Sequence, residues 1–144
     1  MSQTIDELIA DFAVLDDWED RYRHVIELGK ALPPMEPALK TAATKVSGCA
    51  SQVWIHARIK VDPDGRRLAL VGDSDALIVK GLIAIAFIIF QPLTLEQITA
   101  TDAAAIFAKL GLKDHLTPQR ANGLTSMVAR IKADAAALRA ESAA

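Results

Sequence analysis

The sequence predicts an α+β fold, a small antiparallel β-sheet packed against several α-helices. Residues Gln52 to Val61 alternate apolar and polar side chains with the period of a strand, and other segments repeat apolar residues at helical spacing. Between the two strand-like runs stands the turn sequence Asp62-Pro63-Asp64-Gly65. With 144 residues, 51% hydrophobic and 24% charged, the chain suits a single domain over residues 1–144. A domain of this size buries about 68–70% of its unfolded surface and needs no metal or disulfide to hold a core.

Thr4 and Glu7 form a capping-box pattern, and Ile5, Leu8, Ile9 and Phe12 share one face of a first helix. Asp17 is the expected cap of a second helix with the stripe Trp18, Tyr22, Val25 and Ile26, and Gly29 is its expected left-handed stop. Leu32-Pro33-Pro34-Met35-Glu36-Pro37 forces an extended connection. A short helical piece is expected around Ala38 to Thr44.

In the alternating run, Val53, Ile55, Ala57, Ile59 and Val61 face the core. Gln52, Trp54, His56, Arg58 and Lys60 face the wetter side. Arg67 to Val71 returns as the partner strand. Ser74 and Asp75 sit where an N-cap would open the next helix, whose residues Leu77, Ile78, Leu82, Ile85, Phe87, Ile88 and Ile89 are apolar nearly all round. Two short helices are expected over Leu95 to Thr99 and Ala103 to Leu110, capped by Thr94 with Gln97 and by Thr101 or Asp102, and stopped at Gly111. Thr117-Pro118 opens the last helix, with Leu124, Met127, Val128 and Ile131 at core spacing and an alanine-rich end expected to fray.

Composition narrows function. Sixteen basic residues against eighteen acidic ones give a formal charge of -2, without the basic excess that nucleic-acid binding requires. The apolar run from Gly81 to Phe90 has ten residues, half of the ~20 that cross a membrane, and reads as a buried core helix. The acidic start and the single cysteine point to a reducing, cytoplasmic location without disulfides.

That cysteine is Cys49, in Lys45-Val46-Ser47-Gly48-Cys49-Ala50-Ser51-Gln52-Val53-Trp54, on the turn before the strongest strand. A lone cysteine is ordinarily a small buried hydrophobe. Here Gly48 gives the turn unusual backbone freedom, and the small polar neighbours favour a displayed, reactive thiol. His24, His56 and His115 have no ligand spacing, and a metal site from Cys49, one histidine and Asp73 or Asp75 is disfavoured by ligand count. A Cys-His hydrolase is disfavoured too, since an extended strand carries His56 about 13 Å from its start. Thiol exchange remains, in which one thiolate attacks the sulfur of a disulfide or persulfide.

The segment Val46 to Trp54 resembles the cysteine loop of the SufE family, sulfur acceptors of iron-sulfur cluster assembly. Leu28-Gly29-Lys30 with Leu32-Pro33-Pro34, Asp73-Ser74-Asp75-Ala76 with Val79-Lys80-Gly81-Leu82, and Leu116 to Leu124 also resemble that family, in order, over Ile5 to Lys132. Ala50, in place of a longer polar residue, and Met35, in a variable stretch, depart from it.

The resemblance implies a SufE/IscU-like fold. It implies that Cys49 accepts persulfide sulfur from a SufS- or CsdA-type cysteine desulfurase, stimulates that enzyme, and passes the sulfur toward an iron-sulfur scaffold. The chain would then be a carrier rather than an enzyme, binding no cofactor or metal, with pyridoxal phosphate held by the partner. Gly48, Ser51 and Gln52 are the expected loop supports, and Trp54 and Arg120 the expected docking residues. Arg120 stands in a helix's first turn, where the helix dipole disfavours a cation. Lys80 and Asn122 are weaker candidates. A non-catalytic scaffold or regulatory module is the alternative, and homodimer formation stays open.

Overall fold

The computed structural model describes residues 4–112 and 115–143, so Met1 to Gln3 of the acidic start and Ala144 of the alanine-rich end lie outside it. The element order is α1 (Ile5–Ala13), α2 (Trp18–Ala31), a 3-10 turn (Pro37–Leu39), β1 (Val53–Asp62), β2 (Gly65–Ser74), α3 (Leu77–Phe90), α4 (Leu95–Ala100), α5 (Ala103–Lys109) and α6 (Pro118–Ala143). It is the α+β arrangement expected, a two-stranded antiparallel sheet with helices.

The hairpin pairs from Val53 with Ser74 to Asp62 with Gly65, so β2 is longer than the Arg67 to Val71 return expected. Odd residues of β1 as far as Ile59 and even residues of β2 face inward, which buries Val53, Ile55, Leu68 and Leu70, whereas Val61, expected on the core side, lies past the edge of the core and is 77% exposed. The opposite face carries Trp54, His56, Arg58 and Lys60. Helix α3 lies at the centre and touches α1, α2, α6 and β2. Leu82, Ile83, Ile85 and Phe90 are fully buried along it.

Three local expectations are corrected. Gly29 does not stop α2. It lies inside the helix, and an added Cβ would stand 2.7 Å from the backbone nitrogen of Gly81 and 2.9 Å from the carbonyl oxygen of Leu77. The absent side chain is what lets α2 and α3 pack backbone to backbone. Ser74 and Asp75 do not cap α3. Ala76 occupies that position without a side-chain cap bond, because Ser74 closes β2 and Asp75 is engaged with Gln52. Residues 38–44 form no α-helix. Only Pro37–Leu39 make a 3-10 turn, after which Thr44 and Val46 run beside β1, with Val46 N donating to Val53 O (2.8 Å) and Ile55 N to Thr44 O (2.9 Å).

The capping boxes at Thr4 and Thr94 and the cap at Asp102 form as the sequence indicates. Helix α6 has 26 residues, with Ile131 and Ala135 buried and Leu138 packed on the core. Its first half forms the floor beneath the cysteine loop.

Candidate functional site

The loop Ser47 to Gln52 leaves and re-enters the sheet at adjacent points, because Val46 and Val53 are hydrogen-bonded to each other. Gly48 has φ +89°, a left-handed conformation that a side chain resists, and a Cβ there would collide with Ser126 Oγ of α6. The turn therefore needs glycine for its angle and for its contact.

Cys49 follows, but it is not held out into solvent as expected. Its side chain is half-buried, and its Sγ–H donates to the carbonyl oxygen of Gly123, 3.5 Å away. Burial pushes the thiol's pKa up from its ordinary value. At neutral pH the resting group is a protonated thiol. Around it is a cleft of about 20 Å³, lined by Ala50, Ser51, Val79, Leu82, Arg120 and Met127 among others. That volume is about what one water molecule needs, so the cleft admits one further atom of that size.

Arg120 therefore meets Cys49 at the same cleft, and its guanidinium has no hydrogen-bond or ion-pair partner among the described residues. A cation at the mouth, if drawn to the sulfur, would favour the thiolate that burial disfavours.

The downstream limb is fastened by a reciprocal pair. Gln52 N donates to an Asp75 carboxylate oxygen (3.0 Å), and Asp75 N donates to Gln52 O at 3.4 Å. Gln52 thus supports the loop through its backbone. Ser51 acts as a wall of the cleft.

Trp54 lies on the outer face, half-buried, with the Lys40 ammonium 5.3 Å from its ring centre. Lys40 also bonds Asp73 at 2.6 Å, and Lys80 reaches the other carboxylate oxygen at 3.3 Å. Burial acts to raise the Asp73 pKa, but hydrogen bonds from Lys40, the Ser74 amide and Lys80 outweigh it and hold the group below the usual carboxylate range. Trp54 is on the sheet face opposite the core and does not line the cleft.

The histidines stay apart from the thiol. His24 packs edge-on to Phe12 at 5.4 Å, His115 stacks on Trp18 at 4.5 Å, and His56 is on the outer sheet face. Among the described residues no group of His, Cys, Asp and Glu is arranged to hold a metal ion. Asp73 and Asp75 are taken up by lysines and by the Gln52 amide.

Sequence reasoning gave no role to Gly123, Ser126 or Arg130, all on α6, or to Asp75 as a fastener. One signal was present for the first: a glycine inside a helix costs about 1 kcal/mol relative to alanine, so its presence calls for a spatial reason. A Cβ at Gly123 would stand 3.5 Å from Cys49 Sγ.

The model of the SufE family, described as an Fe-S metabolism associated domain, matches residues 6–135. An uncharacterized SufE-like protein of Rhizobium meliloti is 52% identical over 132 residues, 92% of this chain and 94% of its own length. One from Rhizobium etli is 50% identical over 132 residues, 92% of this chain and 89% of its own length. The solution structure of a hypothetical protein from Thermus thermophilus superposes with a TM-score of 0.73 at 20% identity. It covers 94% of this chain and 96% of that one, which is a likeness of fold. No described helix is long and apolar enough to cross a membrane. On the family match and the two close relatives, this chain belongs to the SufE family, associated with Fe-S metabolism.

Proposed function

We propose that this protein is a sulfur carrier: Cys49 takes sulfane sulfur from the active-site persulfide of a cysteine desulfurase and delivers it for iron-sulfur cluster assembly. The observation that carries the reading is the placement of the chain's only cysteine on a six-residue loop, against a cleft with space for one more atom.

The chemistry balances without a cofactor on this chain. The Cys49 thiolate attacks the outer sulfur of the donor's persulfide, the donor's S–S bond breaks as a new one forms on Cys49, and the donor cysteine leaves as a thiolate that takes up the proton. Nothing is oxidised or reduced overall. Removing the persulfide frees the donor for its next turnover, and this is the origin of stimulation. Pyridoxal phosphate belongs to the desulfurase, and this chain acts as its activator rather than as an enzyme in the cytoplasm.

In this scheme Arg120 and Trp54 serve docking. Arg120, at the cleft mouth, would meet the donor persulfide first. Trp54, held by Lys40 beyond the loop's end, offers an aromatic anchor of the kind enriched at interface hot spots.

The test is desulfurase turnover with and without this protein. Wild type accelerates cysteine consumption and Cys49→Ser does not. Equal stimulation by the serine variant would instead favour a scaffold or regulatory module that works by binding alone.

A further inference from the structure

The upstream limb of the cysteine loop has an exposed-edge problem. In Thr44 and Val46, the Thr44 carbonyl and the Val46 amide pair with β1. The carbonyl of Lys45, at the single bridge to Trp54, points away from β1, and that of Ala43 lies in the turn just before it, on a side where no further strand pairs among the described residues. Arg130 of α6 fills that place. Its Nη1 donates to Lys45 O at 3.2 Å, its Nη2 donates to Ala43 O, and its Nε donates to both carboxylate oxygens of Asp134 at 3.1 and 3.2 Å. A planar guanidinium spans two carbonyls while a third nitrogen stays anchored on its own helix, which a lysine's single nitrogen does not reproduce.

The same side of α6 carries the rest of the loop's seat. At intervals of three, one and three residues come Gly123, whose carbonyl receives the thiol, Ser126 under Gly48, Met127 in the cleft wall, and Arg130 under the limb. The loop thus lies along one helix, fixed by Arg130 at its start and by Gly123 at its thiol.

We propose that Arg130, oriented by Asp134, is a positioning residue for Cys49: it clamps the upstream limb to α6 and sets how often the thiol leaves its half-buried seat. Releasing the clamp lets the upstream limb lift from α6 and carry the loop with it, a local opening that does not require unfolding of the core. That Cys49 so exposed takes up sulfur rests on the carrier reading above. That its exposure is governed by Arg130 does not.

The experiment measures alkylation of Cys49 by iodoacetamide at fixed pH in the folded protein. Arg130→Met should accelerate it about fivefold or more, with Arg130→Lys in between, because fractional opening multiplies the observed rate. Ile98→Val, in buried α4, is the control for general loosening and should leave the rate within twofold of wild type. In the stimulation assay Arg130→Met should lower the concentration needed for half-maximal effect, leaving the maximal rate unchanged, since part of the opening is already present. Should Arg130→Met fold poorly, Asp134→Asn, which releases the guanidinium's anchor, gives a smaller acceleration of the same sign. Unchanged alkylation in folded Arg130 and Asp134 variants, or equal acceleration by Ile98→Val, overturns the proposal. Loss of sulfur uptake in wild type would defeat the carrier reading and leave the alkylation result standing.

Discussion

The Cys49 thiol is hydrogen-bonded to the carbonyl of Gly123, 3.5 Å away and 74 residues along the chain. The single sulfhydryl of this protein thus rests on a helix rather than in water, and its reactivity is a property of that contact.

Gly123→Ala should separate the free thiol from its sulfur-loaded form. A methyl 3.5 Å from Sγ is in ordinary contact, so the reduced protein should fold with its thermal midpoint unchanged or raised, because alanine favours the helix by up to about 1 kcal/mol. The same methyl occupies space beside the sulfur, and the persulfide yield on Cys49 should fall several-fold. Undiminished loading would show that the outer sulfur lies elsewhere.

Burial raises the Cys49 pKa, so thiolate forms later than in a free thiol. Alkylation of the native protein should climb with pH through a midpoint above the ordinary value of about 8.5, and unfolding in urea should return it there. A native midpoint below that of the unfolded chain would mean that a cation such as Arg120 already stabilises the resting thiolate.

Asp73 has a lowered pKa with Lys40 and Lys80 as partners, so its contribution to stability is complete above the unfolded carboxylate pKa and is lost as pH falls through the lower folded value. Asp73→Asn should lower stability by about 1.5–3 kcal/mol at pH 7, the range for hydrogen bonds to charged groups, with partial exposure favouring the lower end. The gap in melting temperature between variant and wild type should narrow below about pH 4, as wild type protonates the same carboxyl. A gap independent of pH would place the effect of the substitution in packing.

The hairpin and the cysteine turn were legible because their causes are local. Alternation in β1 reports one buried face, Asp62 to Gly65 reports the turn, and Gly48 before Cys49 reports a left-handed bend. What was illegible depends on contacts between distant segments. Gly29 looks like a helix stop until Gly81 is seen against it, and Asp75 looks like a cap until the Gln52 amide claims its carboxylate. The inward turn of Cys49 is set by Gly123, and no pattern near residue 49 encodes it.

The most direct test of the account is intact-protein mass spectrometry after incubating this protein with an active cysteine desulfurase and cysteine. A gain of one sulfur atom, located on Cys49, removed by reductant and missing in Cys49→Ser, is the predicted result. An unmodified wild-type protein beside a desulfurase that carries its own persulfide would contradict it.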